Sequence, residues 1–194
     1  VAMDRTGRIV PALAESWTVS ADGLTYTFKL RGNARFHDGT PFSARDVKFS
    51  FERAVAPDST NAQRWIFTPI AAIEAPDPVT VVITLKQPTA NFVYGLAWGD
   101  AIIVSPATAA NNRTSPVGTG PFRFARWNRG DRLELERNGE YWGPKPALAK
   151  AVAFPDWIGY ISTTGVYGDR RGGWVFEDSR LAAQSPEGAR RVAA

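Results

Sequence analysis

The sequence predicts a mixed α/β fold of the α+β kind, in which paired strands and short helices follow one another without strict alternation. Apolar and polar residues alternate over residues 24–30, as in a strand with one buried and one wet face. Ser43 and Asp46 have the spacing of a helix capping box. Seventeen glycines and fourteen prolines divide the 194 residues into short elements, which disfavours a helical bundle. Strand pairs with interspersed helices indicate the mixed class.

The first predicted element is a β-hairpin. Asp22 and Gly23 precede the strand at residues 24–30 and are residue types that a tight turn favours. We therefore expect Trp17 and Val19 on the partner strand.

A helix is predicted next, with Ser43 as its N-cap and Pro57 ending it. Apolar residues at helical spacing form one stripe along it, which should face the core. That stripe consists of Val47, Phe51, Ala54 and Val55.

The remaining elements are short. Residues 79–85 alternate like a second half-buried strand, entered from a turn at residues 75–78. Within this strand the wet face should carry Thr80, Val82 and Thr84. We also expect a short helix at residues 88–98, a short buried strand at 101–104, and a second hairpin formed by residues 122–127 and 132–137.

Composition excludes several classes of function. The chain has no cysteine, which removes disulfides and thiolate chemistry, and its one histidine rules out a histidine-rich metal site. We expect no metal and no cofactor. The net charge of +4 comes from interspersed charges of both signs, so nucleic-acid binding is not expected. No apolar run approaches the roughly 18 residues that a membrane-spanning helix needs, and the first residues lack the pattern of a signal peptide.

His37 and Asp38 are adjacent titratable residues that invite an acid–base or metal-binding interpretation. Neighbouring residues of a strand point to opposite faces, so the two side chains do not readily meet at one atom. The sequence Asp-Gly-Thr-Pro at residues 38–41 is typical of a turn. The turn is the favoured interpretation.

Residues 115–121 resemble a phosphate-binding loop only through their glycines. They lack the Lys-Ser/Thr ending that would hold phosphates and magnesium. Gly118, Gly120 and Pro121 are therefore interpreted as a stiff structural connector.

Trp65, Trp98 and Asp100 are the candidate ligand-binding residues. The two tryptophans stand at the edges of irregular segments, where an indole ring can line a ligand cleft as well as a core. Asp100 lies close to Trp98 and is a candidate contact for a cation or amine, with plain solvent exposure as the alternative.

Several segments, in this order, resemble a known family. They include residues 11–17, 24–31 and 36–47, the last beginning Phe-His-Asp-Gly-Thr-Pro-Phe, followed by residues 117–122, 135–138 and 141–143. Over residues 5 to 154 the sequence resembles the peptide/nickel class of extracytoplasmic solute-binding proteins, family 5, which serve ABC importers.

The resemblance implies a two-lobed, type II-like periplasmic binding protein, of which residues 1–155 form an incomplete first lobe. Such a protein captures a peptide or related organic solute in the periplasm or elsewhere outside the cytoplasmic membrane. It closes on the ligand, delivers it to an ABC permease as a monomer and performs no covalent chemistry.

The resemblance also assigns positions within the site. Trp65 falls at the aromatic ligand position of nickel-binding relatives. Residues 95–102 match a stretch that supplies a basic contact there, whereas this sequence offers Trp98 and Asp100 and no arginine. This departure favours an organic solute over a nickel chelate.

Residues 157–194 instead resemble a fragment of an epimerase-like extended short-chain dehydrogenase, in which Ser162, Thr163 or Thr164 would bind substrate. No Gly-rich dinucleotide loop follows a strand upstream, so the fragment should not bind a nicotinamide cofactor alone. We expect a boundary between residues 1–155 and a non-independent fragment at 156–194. Alternative interpretations are part of an NAD(P)-dependent oxidoreductase, or a module that binds a protein partner through its tryptophans.

Overall fold

The computed structural model describes residues 1–129 and 132–144, together with the backbone of residues 158 and 159. Two single-turn 3₁₀ helices, Arg64–Ile66 and Ala109–Asn111, accompany the regular elements. In chain order the strands and helices are β1 (Ala2–Met3), β2 (Ile9–Val10), β3 (Ala14–Val19), β4 (Thr25–Leu30), α1 (Ala44–Val55), β5 (Ile70–Asp77), β6 (Thr80–Leu85), α2 (Phe92–Gly95), β7 (Phe122–Asn128), β8 (Arg132–Arg137) and β9 (Ile158–Gly159).

A four-stranded antiparallel sheet, in the order β3-β4-β6-β5, is the centre of the fold. The predicted first hairpin is confirmed, because Trp17 pairs with Phe28 and Val19 pairs with Tyr26. Gly23 in its turn has a φ of +71°, a conformation that glycine adopts without the steric cost of a side chain. Separate short sheets are formed by β1 with β2 and by β7, β8 and β9.

Helix α1 begins at the predicted capping box. The Asp46 carboxylate accepts hydrogen bonds from the backbone N–H of Ser43 at 2.7 Å and from its hydroxyl at 2.9 Å. Of the predicted stripe, Val47, Phe51 and Ala54 are buried. Val55 is 37% exposed, so its inclusion was wrong. The buried face instead extends towards the start of the helix.

The core lies between α1 and one face of the sheet. Helix α1 packs against β5 and β6, and the Phe51 and Phe67 rings lie 5.0 Å apart between centroids. Val81 and Ile83 of β6 are each 1% exposed. Burial of each such side chain stabilises the fold by about 1.5–3 kcal/mol relative to an exposed position.

The expected turn at residues 75–78 is wrong, because strand β5 continues to Asp77 and the chain reverses at residues 78 and 79. Pro76 suggested a turn, but β5 lies at the edge of the sheet, where a proline need not supply a ladder hydrogen bond. The expected wet face of the next strand was also partly wrong. Thr80 is 5% exposed, and its hydroxyl accepts a 2.8 Å hydrogen bond from the Lys29 ammonium.

The helix expected at residues 88–98 is confined to the four residues of α2. Beyond it the Ala97 and Trp98 amides bond to carbonyls three residues back, so the chain continues as turns. The strand expected at residues 101–104 is wrong, since the described chain forms no strand there. Val104 is buried as expected, but its N–H bonds to the Ser50 hydroxyl oxygen at 2.9 Å and not to a neighbouring strand.

The second predicted hairpin is confirmed as β7 and β8. Two cross-strand ion pairs join its strands, Arg123 to Glu136 at 2.8 Å and Arg126 to Glu134 at 2.7 Å. Both arginines are more than half exposed, so each pair contributes about 1 kcal/mol or less.

The chain divides into two compact units. The first, Val1–Trp127 with Glu134–Ile158, contains the central sheet and α1. The second, Asn128–Leu133 with Gly159–Ala194, is described only at residues 128, 129, 132 and 133 and in the backbone of residue 159. The dehydrogenase-like interpretation of residues 157–194, with Ser162, Thr163 and Thr164, falls outside the described residues apart from the β9 backbone. The division at residue 155 stays a prediction.

In the part of the chain that is described, no helix has the length and apolar character required to cross a bilayer.

The packing of α1 on the sheet predicts unequal effects of one substitution at two valines. Val81→Ala should lower the free energy of unfolding by about 2 kcal/mol, because it removes two buried carbons and leaves a cavity. Val19→Ala, at a strand position that is 46% exposed, should change it by about 0.5 kcal/mol or less. Urea unfolding of the two variants measures the difference, and equal losses would contradict this placement of the core.

Candidate functional site

A cleft of about 620 Å³ opens beside the C-terminal half of α1 within the first compact unit. Loops at residues 58–62, 100–104 and 112–118 form most of its wall. Its charged groups are Arg53, Asp58 and Asp100, accompanied by the polar side chains of His37, Ser50, Ser59, Thr60, Asn61 and Asn112. Its apolar groups include Ile102, Ile103, Val104, Val117, Phe122, Phe124 and Leu135. This lining offers both signs of charge, hydrogen-bonding groups and an apolar surface in one space.

Asn61 fixes the part of the cleft that carries Asp100. Its side-chain amide donates to the Asp100 carbonyl oxygen at 2.9 Å, and its Oδ1 accepts the Gln63 N–H at 2.8 Å. Asp100 itself is half-buried at the cleft surface. One asparagine therefore ties the loop at residues 58–62 to the segment at 100–104.

Ser50 holds the same segment to α1. Its hydroxyl donates to the Asp46 carbonyl oxygen at 2.6 Å, while its Oγ accepts the Val104 N–H. Ser50 and Val104 are both buried, at 5% and 8% exposure. An unpaired buried N–H would cost about 1–3 kcal/mol, so this contact fixes the course of residues 100–104.

Trp65, Tyr94 and Trp98 form an exposed group of rings, termed here the aromatic cluster. The Trp65 and Trp98 centroids lie 6.2 Å apart at an interplanar angle of 80°, and those of Tyr94 and Trp98 lie 6.2 Å apart at 62°. The three residues are 53%, 42% and 41% exposed. These are edge-to-face arrangements, which the ring quadrupoles favour.

Gly95 allows α2 to approach the turn that carries Trp65. A Cβ at Gly95 would lie 3.2 Å from Cγ2 of Ile66, closer than most side-chain contacts. Ile66 is 2% exposed and anchors that turn in the core. The absence of a side chain at Gly95 thus brings the two tryptophans together.

Residues 117–121, termed here the connector, are fixed by groups from several elements. His37 makes three hydrogen bonds to it: its N–H donates to the Gly118 carbonyl oxygen at 2.8 Å, its Nδ1 accepts the Gly118 N–H at 3.3 Å, and its Nε2 lies 3.0 Å from the Gly120 carbonyl oxygen. The Trp142 indole N–H donates to the Thr119 carbonyl oxygen at 2.8 Å. Asn138 donates to the Gly120 carbonyl oxygen from its side chain at 3.1 Å and to that of Pro121 from its backbone at 2.8 Å.

The turn expected at Asp38 is present. Gly39 has a φ of +85°, and the Asp38 carboxylate accepts hydrogen bonds from the Thr40 hydroxyl at 2.7 Å and the Thr40 N–H at 2.9 Å. Desolvation by neighbouring atoms opposes ionisation of Asp38, but the hydrogen bonds from Thr40 outweigh it and hold the pKa of this carboxyl below its ordinary value. His37, beside it, lines the cleft.

The candidate residues from the sequence fall in three places. Trp65 and Trp98 meet in the aromatic cluster, whereas Asp100 lines the cleft. Gly118 also lines the cleft, and it belongs with Gly120 and Pro121 to the connector. Neither Gly118 nor Gly120 has a positive φ.

Arg53, Asp58 and Asn61 line the cleft but were not selected from the sequence. Arg53 and the two loop residues carry no motif of their own, since exposed polar residues of this kind are common on any surface. The one sequence signal for these cleft residues was their position near the end of α1, where Pro57 predicts a change of chain direction. Within the described ranges, no cluster of His, Asp and Glu side chains is arranged to hold a metal ion.

Residues 8–155 match the family model described as bacterial extracellular solute-binding proteins, family 5 Middle. The glutathione-binding protein GsiB of Pectobacterium atrosepticum is 41% identical over 143 residues, which make up 72% of this chain and 28% of that protein. GsiB of Escherichia coli strain K12 is 40% identical over 146 residues, or 73% of this chain and 28% of that protein. The chain therefore spans less than a third of the length of these curated relatives.

Solved structures show the same partial correspondence. AgaA of A. tumefaciens R10, in complex with agropinic acid, matches with a TM-score of 0.69 at 39% identity, over 73% of this chain and 30% of that one. NikZ of Campylobacter jejuni, in complex with Ni(L-His), matches with a TM-score of 0.69 at 33% identity, over 74% of this chain and 30% of that one. DppA of Helicobacter pylori, in complex with the peptide STSA, matches with a TM-score of 0.63 at 38% identity, over 71% of this chain and 32% of that one. The described fold thus corresponds to part of a periplasmic binding protein, an incomplete lobe.

The close approach at Gly95 predicts that Gly95→Val will separate α2 from the Trp65 turn. The added methyl groups must displace Ile66, which should lower the free energy of unfolding by about 1–3 kcal/mol and weaken the near-ultraviolet circular dichroism of the tryptophans. Gly99→Val is the matched control, because a Cβ there meets nothing within 4 Å. If both variants keep the wild-type spectrum, the close approach does not hold the cluster together.

Proposed function

Because the chain belongs to family 5 of the bacterial extracellular solute-binding proteins, we propose that it forms part of the ligand-binding lobe of an ABC importer component. The solute is a peptide or a related organic compound, captured outside the cytoplasmic membrane and delivered to a membrane permease. The cleft beside α1, with the aromatic cluster, is the proposed wall of the ligand site. The chain works as a monomer, binds no nucleic acid and changes no covalent bond of the solute.

The lining of the cleft is the observation that carries this proposal. Arg53 offers a partner for a carboxylate, while Asp58 and Asp100 offer partners for an ammonium group. Asn61 and Asn112 add amide groups, and the apolar side accommodates side chains. A short peptide carries this combination of groups.

The relatives support an organic solute of this kind. GsiB is named for glutathione, and the DppA structure contains a peptide. NikZ binds Ni(L-His), but this chain has Trp98 and Asp100, and no arginine, in the stretch that the family resemblance aligns with a basic nickel-ligand contact. We therefore propose a peptide-like solute and not a nickel chelate.

Binding by two lobes follows from differential affinity. A solute stabilises a closed state only if it contacts groups that the open state does not bring to it. This chain supplies one wall of such a site, with residue 155 as the proposed end of the lobe segment. The oxidoreductase alternative depended on residues 157–194, beyond the family match, and no described residue favours it.

We predict that the 194-residue chain binds glutathione and mixed dipeptides with a Kd weaker than about 1 µM, since one wall leaves much of the ligand in water. Isothermal titration measures the affinity, and tryptophan fluorescence reports where the ligand sits. Trp65→Ala and Trp98→Ala should each remove most of the fluorescence response.

Trp127→Ala is the matched control, because this tryptophan is 49% exposed on β7 and lies outside the aromatic cluster. Micromolar or tighter binding would show that these residues alone enclose a complete site. A response lost only in Trp127→Ala would place the ligand elsewhere.

A further inference from the structure

His37 joins a turn at the start of the fold to the connector, more than 80 residues later in the chain. Its backbone N–H and both ring nitrogens bond to Gly118 or Gly120, and its half-buried ring lines the cleft. The same side chain therefore contacts the cleft and holds one of its walls.

The directions of these bonds determine where the proton of the ring lies. The Gly118 N–H points at Nδ1, so Nδ1 must present its lone pair. The proton of a neutral ring is then on Nε2, where it is donated to the Gly120 carbonyl oxygen. A second proton on Nδ1 would set two N–H groups against each other, and the bond from the Gly118 N–H to the ring would be lost, while the backbone bond from His37 to the Gly118 carbonyl oxygen remains.

The charged groups around the ring do not remove this conflict. Asp38, the adjacent carboxylate, attracts a positive ring, but it is exposed and already accepts two hydrogen bonds from Thr40. Arg35 bonds to the Gly39 carbonyl oxygen, and Arg53, Asp58 and Asp100 line the same cleft. The connector and its other side-chain partners, Asn112, Asn138 and Trp142, carry no titratable group.

We propose that His37 is a pH-sensitive positioning residue, which fixes the Gly118 N–H in the wall of the cleft while its ring is neutral and loosens the connector at Gly118 when the ring is protonated. Histidine is the side chain type that ordinarily changes charge between about pH 5 and 8. Acid therefore loosens this wall at Gly118 without unfolding the core, whichever solute the cleft accepts. The inference requires no ligand, so it stands or falls separately from the proposed function.

Nitrogen-15 NMR tests the first step directly, because the chain contains a single histidine. At pH 8 the ring should show a protonated Nε2 and an unprotonated Nδ1. On acidification to pH 5 the Gly118 amide should lose its protection from hydrogen exchange, while the Ile83 amide in the core keeps its protection. A ring protonated on Nδ1 at pH 8, or unchanged protection of Gly118, would overturn the proposal.

Two variants that cannot titrate test the second step. His37→Asn keeps an acceptor near the position of Nδ1, and His37→Gln keeps a donor near that of Nε2. Between pH 8 and pH 5 the unfolding equilibrium constant of the wild-type chain should rise about fivefold more than that of either variant. The wild type is compared with the variants because burial also lowers the pKa of the Val1 amino group. That group titrates in all three proteins, so its contribution cancels in the difference.

Trp142→Phe is the control for a merely structural role. It removes the indole hydrogen bond to Thr119 and should weaken the connector at every pH, while the wild-type pH dependence persists. Equal pH dependence in the wild type and both His37 variants would exclude the proposal. If the variants do not fold, two measurements on the wild-type chain still decide the proposal. These are the tautomer of the His37 ring and the hydrogen exchange of the Gly118 amide.

Discussion

The hydrogen bonds of Ser50 connect the hydrophobic core to the cleft. A serine inside a helix usually competes with the backbone and contributes little. Here its hydroxyl is buried beside Val47 and Phe51, whose packing fixes the rotation of α1. Because the same oxygen accepts the Val104 N–H, the position of the helix also sets the course of residues 100–104. A segment that forms no strand pairing is thereby fixed, and with it the Asp100 side of the cleft.

The part of the cleft wall formed by the connector is fixed by hydrogen bonds from other elements. Glycines in the connector suggest a backbone that needs unusual angles, yet a Cβ at Gly118 or Gly120 would meet its nearest neighbour only at 3.6 or 3.9 Å. Hydrogen bonds from outside determine its path instead. Trp142, which holds the Thr119 carbonyl oxygen, also stacks under the Arg31 guanidinium at 4.9 Å. Arg31 in turn donates to the Ala12 carbonyl oxygen at 2.7 Å, so the connector is linked to the start of the central sheet.

Sequence reasoning predicted the elements whose signals are local. The hairpin of β3 and β4, the capping box of α1 and the hairpin of β7 and β8 each follow from residues close together in the chain. It failed where contacts with distant parts of the chain decide the local structure. Pro76 suggests a turn, and only the edge position of β5 makes it acceptable in a strand. Residues 101–104 are apolar enough for a strand, but the Ala101 N–H bonds to the Trp98 carbonyl oxygen and the Val104 N–H to the Ser50 side chain of α1. For the same reason the sequence predicted Trp65, Trp98 and Asp100 as ligand-binding residues. It could not predict that the two rings lie in the aromatic cluster while Asp100 lines the cleft.

The aromatic cluster shows how exposed groups are held in place by buried neighbours. Trp65 is 53% exposed, yet Ile66 and Phe67 directly after it are each 2% exposed. Trp98 follows Leu96, which is 8% exposed, in the same way. Burial of such anchors stabilises each turn by about 1.5–3 kcal/mol per side chain, and this offsets the cost of leaving the rings in water. The rings then lose little conformational freedom when another group contacts them, because folding has already fixed the turns that carry them. Their exposure is thus a consequence of core packing and not of a loose surface.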